Sequence, residues 1–583
     1  MRKKTFLWGI IALLCLSSAG CSSDKKVDFI HIIHTTDVHG NLFPYDFVND
    51  CPNEGSYARV SSYIKQVKHD TDEVVLLDAG DILQGQPTAY YFNYINALAP
   101  HVFATTLNQM GYDAITLGNH DIETGHSVYD RFVKQLNMPA LAANIVSEDT
   151  GECYFKPYTI IHRGGRKIAV IGTIETGLVN NLPEKLWQGL RFEDQVETIR
   201  KYLPEILKEN PDVVIALIHS GIGSTDNDPK GYAENEGYKM AQELPELDII
   251  LMGHDHRETL DSVPHDNGRI TYLLNPANNA TAVSHTTVYF GSEIEGRPSL
   301  RIAPRIVHLD SIEPDPALLL GLESQETAVR SFVSQPVGKL TQNINARSAF
   351  FGPSTFTDLI HQLQFSIYPQ ADISITAPLD FNVSLSEGDI AMRDLFKLYR
   401  YENSLYLMSL TGKEVQRMLE ESYDRWISTM SSPDDPLIQI DKKRIGGQYL
   451  PTTNSSYNFD AASGMSYIVD VTKPYGNRIV ISSVGDNPFD PDKNYLVAVN
   501  SYRGNGGGGL LTKGAKIPKD ELKQRIVETT DHDLRYYLID FFKTHNPYTP
   551  VVNAHWSLEP KEWTEPALKR DSILLFSSFD RHE

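Results

Sequence analysis

Within DAITLGNHDIETGHS, Asp113 to Ser127, a short apolar run reaches Gly118 and then crowds Asn119, His120, Asp121 and Glu123 into five positions. Glycine after a strand is an ordinary turn signal, but a turn needs no amide, imidazole and two carboxylates together. The same ending recurs along the first half of the chain. VDFIHIIHTTDVHGN delivers Asp37 and His39, DEVVLLDAGD delivers Asp81, PDVVIALIHSG delivers His219, and LDIILMGHDH delivers His254 and His256. Taken singly, each is explained as a helix cap, a turn residue or a hydrogen-bonded histidine. Five strand-length runs that all end this way call for a common cause.

Asp, Asn and His are oxygen and nitrogen donors suited to Zn, Mn or Co, with no thiolate among them. Seven such side chains exceed one tetrahedral shell and point to two divalent ions sharing a ligand. Two dications against Asp37 and Asp81 leave an excess of positive charge that attracts phosphate, and paired ions clamp the attacking and leaving oxygens of an in-line displacement. Asn119 is then the ligand, and His120 is free to face the substrate and stabilise charge on phosphoryl or leaving-group oxygen. Glu123 lies three residues on, where a first helical turn shares its face with His120 and would keep the imidazole oriented and protonated. Asp121 is the rival for that role, or else a cap of the turn.

These residues need elements to hold them. Helix-like stretches such as GSYARVSSYIKQVKHD and RFEDQVETIRKYLPEILKEN separate the apolar runs, and alternating strands and helices build sheets covered by helices. In such sheets ligands gather outside the carboxyl ends of the strands. The length, 583 residues, exceeds what one core organises, so two or more domains are expected.

The amino terminus, MRKKTFLWGIIALLCLSSAGC, has a basic start, an apolar run from Phe6 to Leu16 and small residues up to Cys21. The run is too short to span a bilayer and reads as a secretory signal. It resembles a bacterial lipoprotein signal with Cys21 as the lipidated first residue, although Ser18 stands where that pattern usually has Leu. Ordinary secretion is the alternative. The formal net charge of −22 grows more negative once Arg2, Lys3 and Lys4 leave with the signal. Such a surface argues against a nucleic-acid polymer as partner. Cys51 and Cys153 could pair in an oxidising compartment, but they are no disulfide framework.

In this order, DVHGN, DAGD, GNHD, IHSG and GHDH resemble the calcineurin-like metallophosphatases, specifically the 5'-nucleotidase and 2',3'-cyclic-nucleotide phosphodiesterase family, over about Asp28 to beyond Gly509. The resemblance implies an α/β fold, a four-layer α/β/β/α metallophosphatase sandwich followed by a separate α+β substrate-binding domain. It implies one ion on Asp37, His39, Asp81 and His256 and a second on Asp81, Asn119, His219 and His254, with Asp81 bridging. The family's catalytic histidine falls on His120 and its partner aspartate on Glu123, whose arm is one methylene longer. Family members also clamp a base between two aromatics of the carboxyl domain, which match Tyr401 and Tyr502, with Asn403 and Gly464 as further contacts; Tyr399 is read as structural.

The 5'-nucleotidases carry NxGxIR after a motif like ADISIT and an aspartate in the Gly-rich loop. This chain has ADISITAPLDFNVSL without the arginine, and Gly508 within NSYRGNGGGG. Both features are similar to the cyclic-phosphodiesterase and 3'-nucleotidase branch. The expected organisation is a signal over 1–20, a tether over 21–27, a catalytic domain over 28–313, a connector over 314–340, a nucleotide-binding domain over 341–548 and a polar tail over 549–583. The expected protein is a monomeric, lipid-anchored dimetal hydrolase of a bacterial cell envelope, periplasmic or on the outer membrane. It acts on small nucleotides, opening 2',3'-cyclic nucleotides and removing 3'-phosphates for salvage. The alternatives are a 5'-nucleotidase or nucleotide-sugar hydrolase, and a non-catalytic nucleoside-binding surface lipoprotein.

Overall fold

The structure is a computed structural model and describes residues 26–223, 234–294, 297–379, 381–444 and 451–577. The signal, Cys21 and most of the tether lie outside these residues.

In the amino-terminal part the strands are β1 (Phe29–Thr35), β2 (Val74–Asp78), β3 (Ala114–Thr116), β4 (Ala140–Leu141), β5 (Tyr158–Arg163), β6 (Arg166–Ile174), β7 (Val213–His219), β8 (Ile249–Met252), β9 (Glu258–Pro264), β10 (Ile270–Pro276), β11 (Ala282–Ile294) and β12 (Arg297–His308). They form two six-stranded sheets, ordered β12-β11-β1-β2-β3-β4 and β9-β10-β8-β7-β6-β5. Strands β1 to β4 run parallel, as do β6, β7, β8 and β10.

Parallel strands are buried on both faces, and the side chains here sort by alternation. In β7, Val213, Ile215 and Leu217 join a layer shared with Ile30, Ile32, Val75 and Leu77 of the other sheet. Val214, Ala216 and Ile218 point the other way, onto helices α4 (Gln195–Lys208) and α5 (Gly237–Glu243). Val74 and Leu76 of β2 likewise face α1 (Tyr57–Asp70), α2 (Val102–Met110) and α3 (His126–Lys134). Helix, sheet, sheet and helix therefore stack as four layers. Two of these helices start at side-chain caps: at α1 the Ser56 hydroxyl accepts from Arg59 N–H at 3.2 Å, and at α4 Asp194 accepts from Glu197 N–H at 2.8 Å. In α4 the buried positions Val196, Ile199, Leu203 and Ile206 follow the helical repeat.

The connector is helical over Pro316–Gly321 and over α6 (Glu323–Val333), and its Phe332 stacks on Tyr90 at 6.2 Å between ring centroids. Beyond it lie α7 (Thr355–Ile367), β13 (Ile373–Thr376), β14 (Leu405–Thr411), β15 (Ala461–Ser463), β16 (Met465–Asp470), β17 (Ile479–Val484), β18 (Asn487–Pro488), β19 (Asn494–Asn500), β20 (Ile526–Thr529), β21 (Trp556–Glu559) and α8 (Lys561–Phe576). A mixed five-stranded sheet, β15-β13-β19-β14-β20, sits beside a four-stranded one, β18-β17-β16-β21.

The last strand corrects the expected polar tail over 549–583. β21 pairs in parallel with β16, and Trp556, Leu558, Ala567, Leu575 and Phe576 are part of the domain's core. The segment is rich in Lys, Glu and Arg, and only its pairing with a strand some ninety residues earlier reveals the buried face. Both remaining cysteines are free: Cys51 is exposed, and the Cys153 thiol lies 3.0 Å from the Tyr202 hydroxyl. Trp556→Ala is expected to cost about 3 to 5 kcal/mol of stability, the usual range for deleting a core tryptophan. Urea unfolding of the full chain measures this, and an unchanged midpoint would place the segment outside the core.

Candidate active site

The predicted ligands leave the carboxyl ends of five strands from both sheets and meet at one rim. Asp37 and His39 follow β1, Asp81 follows β2, Asn119 follows β3, His219 ends β7, and His254 and His256 follow β8. Asp37, His39 and His256 form one group whose donor atoms all lie within 4.8 Å of one another, and Asp37, Asp81 and His219 form another. The His39 and His256 Nε2 atoms are 3.0 Å apart, and His256 Nε2 is 3.2 Å from Asp37 Oδ1. Asn119 Oδ1 lies 3.1 Å from His219 Nε2 and 2.9 Å from His254 Nδ1, which brings in the last two ligands. Asp37 is common to both groups. Asp81, the bridge implied by the resemblance, turns Oδ2 to His219 Nε2 at 3.2 Å and Oδ1 to the His120 N–H at 2.8 Å.

Backbone bonds fix these loops against one another. The Asp37 N–H donates to Gly80 O and the His39 N–H to Asp81 O, at 2.8 and 2.9 Å. The Asp37 carboxylate accepts from the Thr36 hydroxyl at 2.6 Å and from the His254 N–H at 3.0 Å. Asp37, His39, Asp81, His254 and His256 all have positive φ, between 49° and 75°. Asp and His tolerate this left-handed region better than bulkier residues do.

His120 Nδ1 lies 2.6 Å from Glu123 Oε2, which makes Glu123 its partner. Asp121 does something else: its carboxylate accepts from the backbone N–H groups of Asp81, Ile82, Leu83 and Gly118 at 2.8 to 2.9 Å. It ties the loop after β2 to the loop after β3. Burial pushes the His120 imidazole down, but Asp81 and Glu123 outweigh it and raise its pKa to about 10. A cation on Asp81 would offset that carboxylate's share and leave Glu123 as the group that keeps His120 charged.

In the second domain, β14 pairs with β19 so that Leu405 faces Asn500. Tyr401 and Asn403, ahead of β14, and Tyr502, after β19, thus share one end of the sheet. Tyr457 lies between the two tyrosines, edge-on at 6.4 Å from Tyr401 and 6.3 Å from Tyr502. Sequence reasoning missed it, because an aromatic in the polar stretch TTNSSYNF carries no signal of its own. The buried Tyr399 is confined to the core.

Gly464 is not at this end. β15 runs antiparallel to β13, with Ala461 opposite Thr376 and Ser463 opposite Ser374, so Gly464 emerges at the start of β13 while Tyr502 follows the end of the parallel β19. Its φ is +84°, and a Cβ there would collide with the Asp372 carbonyl. A tight turn, not substrate contact, accounts for this glycine.

The tyrosine end faces the rim. Glu402, between Tyr401 and Asn403, accepts from the Tyr94 hydroxyl at 3.1 Å, and burial raises its carboxyl to about 8 with nearby Glu123 contributing. Lys185 Nζ donates to Thr530 O at 2.7 Å and Asn505 Nδ2 to Asn181 O at 3.2 Å across the same junction. Two further carboxylates border the rim. Glu234 Oε2 is 4.0 Å from His254 Nε2, and Glu175, directly after β6, is raised by burial to about 7. RKIAVIGTIE is a further apolar run ending on a donor, a signal present in the sequence.

Residues 30–258 match the calcineurin-like phosphoesterase family and residues 336–514 the 5'-nucleotidase C-terminal domain. The chain is a calcineurin-like metallophosphatase with a 5'-nucleotidase C-terminal domain. It is similar to the 2',3'-cyclic-nucleotide 2'-phosphodiesterase/3'-nucleotidase of Haemophilus influenzae, 27% identical over 94% of this chain and 90% of that protein. The Salmonella typhimurium protein of the same description is 26% identical over 85% of this chain and 84% of its own. A Staphylococcus aureus structure described as a 5'-nucleotidase in complex with alpha-ketoglutarate covers 91% of this chain and 100% of its own with a TM-score of 0.73; at 22% identity that likeness is one of fold.

This metallophosphatase is a metal-dependent phosphoric ester hydrolase, and its rim suits divalent ions. His219 Nδ1 lies 2.7 Å from Ala79 O and His39 Nδ1 3.3 Å from Gln84 O. Each proton is thereby held on Nδ1, leaving the Nε2 lone pair directed into the cluster, as in ligating histidines. Donors around a tetrahedral ion with bonds of about 2.0 to 2.1 Å sit roughly 3.4 Å apart, close to the spacings found here. Gly118 makes the packing of Asp81 feasible, since a Cβ on it would overlap the Asp81 carboxylate. Gly118→Ala is therefore expected to lower bound metal and cut kcat/KM by on the order of 100-fold, equal to about 2.7 kcal/mol. Metal analysis beside initial rates checks it, and wild-type values for both would remove the overlap from consideration.

Proposed function

We propose that this metallophosphatase hydrolyses 2',3'-cyclic nucleotides and 3'-nucleotides to nucleosides and phosphate. The observation that carries this reading is that the Tyr401, Asn403 and Tyr502 end of the second domain faces the rim bearing His120 and Glu123. A base held on one domain then leaves its phosphate at the other. The ions, Zn, Mn or Co, supply Lewis-acid polarisation of phosphoryl oxygen and a more acidic water when bound.

The chain's own residues do the rest. Tyr401 and Tyr502 stack the base, and Asn403 hydrogen-bonds it. His120, with one proton shared toward Glu123, holds a second at Nε2. Opening a 2',3'-cyclic phosphate expels a sugar alkoxide, which is a poor leaving group unless protonated. An imidazolium supplies that proton, and removal of the 3'-phosphate repeats the step at the adjacent oxygen.

Gly508 supports the cyclic and 3'-nucleotide branch. Its φ is +66°, and a Cβ there would collide with the Asn458 amide and the Arg503 guanidinium. An aspartate in this loop, as 5'-nucleotidases carry, would require the Asn458 and Arg503 side chains to move aside. The relatives described as cyclic phosphodiesterases and 3'-nucleotidases support the same branch. We further propose that the chain works as a monomer in a bacterial cell envelope, anchored through lipid on Cys21, where it salvages nucleotides. Labelling with a radioactive fatty acid, lost in Cys21→Ser, tests the anchor.

Phosphate release from 2',3'-cyclic AMP, 3'-AMP and 5'-AMP, compared side by side, tests the substrate reading. The first two are expected to dominate; preference for 5'-AMP would make the protein a 5'-nucleotidase, and no turnover of any would leave a binding protein. Tyr502→Ala should raise KM about tenfold, the loss of about 1 to 3 kcal/mol of stacking.

His120→Asn should abolish turnover with metal content intact. The alkaline limb of the pH profile follows from the charge on His120. Activity requires its proton and is lost as pH rises through its pKa. Glu123→Gln removes a carboxylate that raises this pKa, so the limb should move to lower pH, and an unmoved limb would separate Glu123 from the proton.

A further inference from the structure

We propose that the second domain contains a metal site of its own, in which Asp358, His361 and His555 hold one divalent transition ion that clips the chain's last segment to the domain's first long helix. Asp358 and His361 are three residues apart on α7 and share its buried face. His555 directly precedes β21. The donor atoms of the three lie within 4.8 Å of one another, with His555 Nδ1 at 3.9 Å from Asp358 Oδ1.

Three features mark the cluster as built for a ligand. Asp358 and His361 are 1% and 2% exposed, yet Asp358 is satisfied on one side only. Its Oδ2 accepts the Asn553 N–H at 2.6 Å, while Oδ1 has no hydrogen-bond partner among the described residues. Both ring nitrogens of His555 are buried, and neither makes a hydrogen bond of good geometry among the described residues; the Asn553 and Ala462 backbones contact the ring and raise its pKa against the larger effect of burial. Buried polar atoms are nearly always paired, so Asp358 Oδ1 and His555 Nδ1, buried side by side at 3.9 Å without a well-formed hydrogen bond, need an explanation.

His361 supplies the third feature, through its tautomer. The Ser374 hydroxyl donates to Gln364 Oε1 at 2.7 Å, and Gln364 is held the right way round by its Nε2 donating to Ile375 O at 3.3 Å. With its proton committed, the Ser374 oxygen accepts from His361 Nδ1 at 2.8 Å. The proton therefore sits on Nδ1 and the lone pair on Nε2, which is how a histidine is prepared for a metal by the residue behind it. The charge balance agrees. Burial pushes both imidazoles toward neutrality and raises the Asp358 carboxyl to about 6, with no cationic side chain among the described residues acting on it.

Two imidazoles and one carboxylate are a donor set for Zn²⁺ or a similar ion, with water completing the shell. The 3.9 Å between His555 Nδ1 and Asp358 Oδ1 exceeds the roughly 3.4 Å of a tetrahedral shell, so these two side chains close slightly on binding. The ion would act as a staple. Asn553 and His555 lead into the strand and helix that complete the core, and α7 is where the second domain's helices begin.

Metal analysis of full-length protein loaded with Zn²⁺ and freed of excess ion tests the site. Wild type is expected to hold one equivalent more than Asp358→Asn or His555→Gln, with nucleotide hydrolysis unchanged and the thermal midpoint of wild type alone lowered when that equivalent is stripped. Equal metal content in all three overturns the proposal. Should the variants not fold, crystals of Zn²⁺-loaded wild type decide: an anomalous peak among the three side chains supports the site, and its absence with the rim occupied refutes it.

Discussion

The Asp121 carboxylate, buried between two loops and accepting four backbone N–H groups, is the contact on which the catalytic rim rests. Those donors belong to the ends of two neighbouring parallel strands, so one side chain sets the distance between Asp81 on one loop and Asn119 and His120 on the other. Burial, with Asp81 adding to it, raises the Asp121 carboxyl to about 6, and the bonds from Gly118, Leu83 and Ile82 oppose that rise. Protonation would remove an acceptor from the bundle that positions Asp81. The geometry of the ligands is in this sense a property of a residue that ligates nothing.

Much of this was legible in the sequence because the signal is local. A strand, a glycine and a donor fit within ten residues, and five repetitions of that unit locate one edge of two sheets without knowledge of how the strands pair. The parts that escaped are those decided by distant chain. Asp121 and Glu123 both lie within three residues of His120, and only the loop after β2, some forty residues earlier, claims Asp121. The resemblance matches Gly464 to a substrate contact, whereas the antiparallel register of β15 carries it to the far end of the sheet. The final helix hides its apolar face among charged residues, and it becomes core only once β21 has found β16.

The two domains are joined by contacts of a particular kind. The aromatic cluster of Tyr90, Phe332 and Phe396 links the catalytic domain, the connector and the second domain, and the Arg535 guanidinium lies 5.0 Å from the Tyr90 ring and 4.1 Å from that of Phe396. Nearer the rim the contacts turn polar, through Tyr94 to Glu402, Asn505 to Asn181 and Lys185 to the Thr530 carbonyl. Tyr457 is lodged edge-on between Tyr401 and Tyr502.

Backbone strain and chemistry converge on the same residues. Five of the seven predicted ligands occupy the left-handed region, where a β-branched side chain would be costly. For those five, the left-handed turn lets the chain leave its strand and turn back sharply while the side chain stays aimed into the cluster; Asn119 and His219 reach it without one. Asp and His tolerate such a turn and also carry the donors. The rim therefore selects its residue types twice, once for what they bind and once for the turn they make. A substitution that preserved charge but not the tolerance for positive φ would still displace the donor. The glycines alongside, Gly80 and Gly118, supply the remaining clearance by bringing the two loop backbones into contact where any side chain would hold them apart.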